Sequence, residues 1–297
     1  MRSIPRKSGV ISALALMLVF FTAPLPAEVT QPAVIQTADL RANAPEGTFL
    51  PPGSDPIITE SSYQSEQISV RISRVRDDES KSNITIADIR LSSLETLRRG
   101  FSSGKWRGRT QKVKNLAAEN GALLAMTGDY ASLLSSGPVV ANGEVYRKTG
   151  NRERDVCVIL LDGQMETYKR GEVDLNSILN GSVWHSFLFG PALLDKGEVI
   201  TSFASKVRSA NPRSVLGYYE PGHYCFVVVD GRNKDSRGMT LKRLSQFMNE
   251  LGCKAAYNLD GGQSALMWFN GEVITTPYKG GRPLTDIVYI LPETEQK

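Results

Sequence analysis

The chain has 297 residues, with 35 Lys and Arg against 31 Asp and Glu, two histidines and three cysteines. Three of the basic residues, Arg2, Arg6 and Lys7, stand before an apolar block from Val10 to Ala23; without them the balance is 32 against 31, and nothing asks for a nucleic-acid partner. The apolar block is shorter than the ~20 residues of a membrane helix and no later segment approaches it, so no membrane span is expected once the start is removed.

The basic start, the apolar block and Leu25-Pro26-Ala27 have the layout of a secretory signal peptide, with small Ala27 before the cleavage point. Residues 1–27 are therefore expected to be a leader and the mature protein periplasmic or secreted. Residues 28–60, rich in Pro, Ala and Thr without a sustained period, read as a linker or N-terminal arm. Residues 61–297 are expected to form a single α+β domain with a mixed central sheet, packed helices and several β-hairpins. Cys157 and Cys225 sit in apolar runs and read as buried thiols. Their odd count, with Cys253, leaves at least one without an intramolecular partner, one disulfide is compatible with an oxidising compartment, and no spacing resembles a zinc site.

In chain order, "QISVRISRV" (67–75) and "NITIADIRL" (83–91) alternate as half-buried strands. A helix is predicted from Thr110 to Asn120, with Val113, Leu116 and Ala117 on one face and Gly121 as its stop, leading into the strand "ALLAMTGDY". Gly-Glu-Val then recurs at Gly143, Gly171, Gly197 and Gly271, each time after Asn, Arg or Lys. The intervals are too uneven for a solenoid and fit hairpin turns, as does Asp162-Gly163. A second helix is predicted from Thr240, as N-cap, to Leu251, with an apolar stripe of Leu241, Leu244, Phe247, Met248 and Leu251. The apolar runs flanking it, "YCFVVVDG" and "AAYNLDGG", place Asp230 and Asp260 at corresponding strand ends. In "YNLDGGQSALMWFNGEV", Asn270-Gly271 is a plain hairpin turn, whereas Asp260-Gly261-Gly262 with Gln263 and Ser264 carries more polar chemistry than a turn requires.

The order "PRS" (212–214), "VVVDGR" (227–232), helix, "NLDGGQS" (258–264), preceded by "TGDY" (127–130) and "FGPALLDKGEV" (189–199), resembles the phosphodiester glycosidases. Gln263 stands where that family has a third glycine, Ala265 where it has Ser or Thr, Ser214 where it has Thr and Thr127 where it has Asn. The resemblance implies cleavage of a glycosyl phosphodiester at the sugar C–O bond, on an envelope or extracellular carbohydrate polymer. The partner is then a sugar phosphodiester or a phosphate-containing polysaccharide, and the oligomeric state is left open. Two alternatives stand beside it: a non-catalytic carbohydrate-binding or exopolysaccharide-assembly protein of the same fold, and a phosphodiesterase that breaks the P–O bond.

Phosphate leaves readily near neutral pH, so this reaction needs less acid assistance than ordinary glycoside hydrolysis and asks chiefly for a cation, a carboxylate and hydroxyl donors. Asp260 is the first candidate for general base or nucleophile, Asp129 the second and Asp230 the third. Arg213 is the candidate phosphate ligand through its planar fork. Asn258, Gln263 and Ser264 are candidate sugar or phosphate contacts, Gly261 and Gly262 candidate backbone donors to an anion, and His185 a candidate pocket-lining residue. No nucleophile-elbow motif accompanies His185 or His223, which argues against a Ser-His-Asp hydrolase. No cofactor is required; a divalent cation, calcium or magnesium, held by Asp129, Asp230, Asp260 or Asn258 is the one metal the oxygen donors suit.

Overall fold

In the computed structural model, residues 37–150, 153–172 and 180–293 are described. The expected leader and the first part of the expected arm lie outside them. Two sheets dominate. The larger has seven strands in the order Ile57–Ile58, Ser62–Gln64, Ile68–Asp77, Ser82–Leu91, His223–Val229, Arg213–Glu220, Ala255–Leu259. The second has five, in the order Glu272–Val273, Met267–Phe269, Leu124–Thr127, Asp286–Ile290, Leu97–Phe101. A three-stranded sheet (Met165–Tyr168, Val156–Leu160, Val183–Phe187) stands beside them.

The expected mixed sheet is not what forms: every strand pairing among the described residues is antiparallel, and only two described α-helices accompany nineteen strands. The fold is mostly β, and α+β fits it loosely. The long apolar runs are the reason for the difference. Strands such as His223–Val229 are covered on both faces, which gives an antiparallel strand the continuous apolar sequence usually associated with parallel sheets. On one face Phe226, Val228, Tyr257 and Leu259 share a core with Met126, Met267 and Val288 of the five-stranded sheet. On the other, Val215, Val227 and Ala256 meet Leu241, Leu244 and Met248 of the helix Leu241–Glu250. Thr240 caps that helix, its side chain accepting the Arg243 N–H, and Val113–Glu119 forms the shorter helix over the five-stranded sheet.

Three of the Gly-Glu-Val sites are hairpins. At Asn142-Gly143, Lys196-Gly197 and Asn270-Gly271 both turn residues have positive φ, the conformation that matches strand twist and favours Asn and Gly. Gly171 also has positive φ, but residues 173–179 lie outside the described residues. The described part of the expected arm is packed on the domain: Leu40 is buried in the main core, its N–H donates to the Ser92 carbonyl at 2.8 Å, and Ile57–Ile58 pairs with Ser62–Gln64.

All three cysteines are free, buried thiols, and Cys225 and Cys253 touch at 3.8 Å between sulfurs. Gly217, mid-strand between them, makes this contact fit, since a Cβ there would lie 2.5 Å from Cys225 Sγ, 2.7 Å from Met248 Cε and 3.0 Å from Cys253 Sγ. Gly217→Ala is expected to cost about 1–3 kcal/mol of unfolding free energy through overpacking, read from urea denaturation. Adding Cys225→Ala should recover part of the loss; no loss at all would mean that the sulfurs move aside freely.

Candidate active site

Strand register brings the expected residues to one end of the large sheet. Arg213 pairs with Val229 and Ser214 with Leu259, so Asp230, Arg213 and Asp260 emerge on three adjacent strands. The Asp260 N–H donates to the Gly128 carbonyl at 3.2 Å, which joins this edge to the loop that carries Asp129 and Tyr130.

Asp260 is 5% exposed and accepts two hydrogen bonds on Oδ2, from Ser264 Oγ at 2.7 Å and Arg282 Nη2 at 2.6 Å. Arg282 Nε also donates to Ser264 Oγ, closing a three-residue ring, and its guanidinium lies 5.5 Å over the Tyr130 ring. Burial pushes the Asp260 carboxyl above its ordinary value, against the opposing pull of Ser264 and Arg282. Arg232 sits on the other side of the turn. It is exposed, has a positive φ of 61°, donates to Asn211 Oδ1 at 2.6 Å and lies 5.4 Å from the Tyr278 ring. A Cβ on Gly262 would meet its guanidinium at 3.3 Å, so the glycine lets the cation close over the turn. The Gly262 N–H donates to the Pro212 carbonyl at 2.9 Å and is thereby taken from the expected anion-binding role. A Cβ on Gly261 would lie 2.7 Å from that same carbonyl. Gln263 reaches the Gly281 carbonyl at 3.4 Å, and Asn270-Gly271 is an exposed hairpin tip.

Asp129 has a different setting. It is fully buried; Oδ1 accepts the N–H groups of Leu188 and Phe189 at 2.6 and 2.7 Å, and Oδ2 faces Arg99 at 3.4 Å. Burial raises its pKa to about 7, against the pull of Arg99. Arg99 itself is paired with Asp286 at 2.7 Å and donates to the Ser186 carbonyl, and Asp286 receives the N–H groups of Asp129 and Tyr130 at 3.0 and 3.1 Å. A Cβ on Gly128 would lie 2.6 Å from Asp286 Oδ2, so only glycine permits this approach.

Arg213 and His185 are engaged otherwise than expected. Arg213 is buried, and its Nε and Nη2 donate to the carbonyls of Met239 (2.9 Å), Val207 (2.7 Å) and Ser209 (2.6 Å). Its planar fork clamps a loop; burial and the nearby Arg232 lower its pKa to about 10. His185 is in the core: Nδ1 accepts the Asn142 N–H at 3.1 Å, Nε2 donates to the Leu97 carbonyl at 3.0 Å, and burial lowers its pKa to about 3, which keeps it neutral. Asp230 is near the edge of the cluster, its Oδ1 accepting the Thr276 N–H at 3.0 Å, and burial raises its pKa. Asn258 donates from Nδ2 to the Gly190 carbonyl at 2.8 Å. The three aspartates thus face separate partner sets, two of them with guanidinium neighbours, which does not suit a shared cation. Among the described residues no group of three or more His, Cys, Asp or Glu is placed to hold a metal.

A cleft of about 660 Å³ opens beside the cluster, with Tyr130 on its wall. Phe189, Gly190, Pro191 and Val207 also line it, so Asp129, Asn258 and Arg213 each hold a wall segment from behind. Arg99, Asp286, Arg232 and Arg282 were not among the expected site residues. Only Arg232, in "DGR", and Arg282, after two glycines, carry a local signal.

The sequence profile of phosphodiester glycosidases matches residues 115–291, more than half of the chain. The chain belongs to the phosphodiester glycosidase family. It is 25% identical over 205 residues to mouse N-acetylglucosamine-1-phosphodiester alpha-N-acetylglucosaminidase, a match covering 63% of this chain and 39% of that protein. It is 30% identical over 132 residues to the SPbeta prophage-derived protein YomE of Bacillus subtilis, covering 43% of this chain and 20% of that one. The chain therefore spans well under half the length of these relatives. Its fold is similar to that of the zebrafish N-acetylglucosamine-1-phosphodiester alpha-N-acetylglucosaminidase catalytic domain, with a TM-score of 0.62 and 19% identity, covering 76% of this chain and 83% of that one. No helix among the described residues is long and apolar enough to cross a membrane.

Two outcomes are expected. Arg213→Lys, which keeps charge but loses the fork, should lower thermal stability more than it changes kcat/KM; an unchanged melting temperature with lost kcat/KM would return Arg213 to the substrate. Asp129, Asp230 and Asp260 hold protons more tightly folded than unfolded, so folding takes up protons and stability falls as pH rises above the unfolded value of 3.8. For Asp129 the decline runs to about 7 and then levels. Asp77, Asp195 and Glu250, whose values are lowered, contribute stability that is lost only at lower pH. Urea midpoints between about pH 4.5 and about pH 8 check the sign. A midpoint that rises through this range would mean that Asp129 is ionised throughout.

Proposed function

We propose that this chain is an exported hydrolase that cleaves a glycosyl phosphodiester at the sugar C–O bond, on an envelope or extracellular carbohydrate polymer. The observation that carries this reading is the Asp260–Ser264–Arg282 ring with Arg232 closed over Gly262: a buried carboxylate paired with a cation that also touches Tyr130 of the cleft wall, and a second cation over the adjoining turn. Family membership and the name of the mouse relative support the phosphodiester substrate. The basic and apolar start of the chain supports export.

In this reading Arg282 and Arg232 take the phosphodiester oxygens, replacing Arg213 in that role. Ser264 and Arg282 fix Asp260 through Oδ2, which leaves Oδ1 for a water. The water oxygen attacks the anomeric carbon, its proton passes to Asp260, and the electrons of the C–O bond leave with the phosphate monoester. Burial raises the Asp260 carboxyl above its ordinary value, which makes it a stronger base than an exposed carboxylate. Asp129, fully buried, acts as a positioning residue for Phe189 on the cleft wall.

Hydrolysis of an N-acetylglucosamine phosphodiester in oxygen-18 water tests the bond: label in the sugar supports this reading, label in phosphate supports P–O cleavage, and saturable binding without turnover supports a binding protein. Asp260→Asn should lower kcat by roughly 10²-fold or more with the fold intact, in the range of lost acid–base catalysis. Arg232→Ala should act mainly on KM. A fully active Asp260→Asn enzyme would remove Asp260 from the chemistry.

A further inference from the structure

The cleft has two kinds of lining. Part of its wall is apolar and aromatic, with Phe189 edge-on to Tyr130 and with Pro191, Ile200 and Phe203. It is also lined by four exposed cations, Arg154, Lys169, Arg170 and Lys206. Two acids share the lining, Glu153 and Asp155; Asp155 Oδ1 accepts the Arg170 N–H and its Oδ2 the Ala192 N–H, both at 3.1 Å. Lys169 turns to Asp195 at 2.8 Å and Arg154 donates to the Phe189 carbonyl at 2.9 Å, which leaves Arg170 and Lys206, among the described lining residues, as the cations to meet a ligand. The volume of about 660 Å³ falls in the range of about 300–1,000 Å³ typical of pockets for drug-sized ligands, more than one pyranose ring requires.

We propose that the cleft takes the leaving side of the substrate and that this side carries a second anionic group, a phosphate or carboxylate, held by Arg170 and Lys206. The inference rests on the proposed phosphodiester chemistry at Asp260. Tyr130 is the link between the two regions, since its ring is under Arg282 and on the cleft wall at once. A sugar phosphodiester anchored at Arg282 and Arg232 would send its aglycone past Tyr130 and the apolar wall, toward the basic border. Aromatic and proline surfaces suit the C–H faces of a glycan or polyol chain, and a cationic border adds affinity for a terminal anion while discriminating against a neutral one.

The test uses two probes that share all reacting atoms: an N-acetylglucosamine 1-phosphodiester of glycerol, and the same molecule with a phosphate on the far glycerol hydroxyl. Calorimetric titration of the full chain bearing Asp260→Asn should give a Kd about tenfold lower for the phosphorylated probe at low salt, with the advantage shrinking as salt rises. In the same background, R170A with K206A should bring the ratio of the two Kd values toward one. Equal affinities, or a phosphate preference that the double variant keeps, would overturn the proposal. Turnover by the wild-type chain is read separately. Preference without turnover of either probe would overturn the hydrolase reading but not the anionic cleft, and turnover of both without preference would do the reverse.

Discussion

The arrangement depends on one buried ion pair, Arg99 with Asp286. Two neighbouring strands of the five-stranded sheet supply the partners, and their remaining hydrogen-bonding capacity organises everything around the cleft. Asp286 receives the N–H groups of Asp129 and Tyr130, which sets the loop after Leu124–Thr127; Arg99 reaches the Ser186 carbonyl, which ties the five-stranded sheet to the three-stranded one. Asp129, placed by that loop, then receives Leu188 and Phe189. A buried pair of this kind is weak evidence for stability, because desolvation offsets most of its Coulombic gain. Its value here is geometric. Planar guanidinium and carboxylate groups with directional bonds fix two loops and a strand that no apolar contact would orient, and Gly128 is the space that the carboxylate needs.

That constraint explains why the candidate chemistry is at a sheet edge instead of within a barrel or between domains. Antiparallel strands on either side of Arg213–Glu220 both end at its beginning, so two chain segments leave the sheet side by side carrying Asp230 and Asp260. The loops that complete the site come from the other sheet, through Tyr130 and Arg282. The large sheet brings the Asp260 carboxylate and the five-stranded sheet the Tyr130 wall. The Asp260 N–H bond to Gly128 is the seam between them, and the Arg282–Asp260 ion pair repeats the seam on the solvent side.

Features governed by neighbours in sequence were legible without coordinates. Asn142-Gly143, Lys196-Gly197 and Asn270-Gly271 form hairpins because positive φ is a local property of those residues, and the stripe from Leu241 to Met248 faces the sheet because helical period is local too. The strand ends at Asp230 and Asp260 followed from the same reasoning. What could not be read depends on register between distant strands. Arg99 and Asp286 are 187 positions apart, and each alone looks like an ordinary charge on a strand flank. A planar fork such as that of Arg213 suits a phosphate, but it also suits carbonyls, and the loop at Val207–Ser209 lies within its reach. His185 was ambiguous for the same reason; only the placement of Leu97 and Asn142 shows both ring nitrogens engaged.

Asp129 and Asp260 show how identical local signals lead to different chemistry. Both follow an apolar strand, both adjoin glycine, and burial raises the pKa of both. The difference is in what their oxygens meet. Asp129 has backbone N–H groups on one oxygen and a fully buried guanidinium near the other, so a substrate could reach it only by breaking the wall it holds. Asp260 has both of its bonds on a single oxygen, and the guanidinium that donates one of them is itself 39% exposed. A charge that must meet a phosphate has to keep one face toward solvent, and Arg282 does so while still orienting the carboxylate. Exposure of the partner, more than burial of the acid, is what separates a group able to act on a ligand from one that holds the scaffold for it.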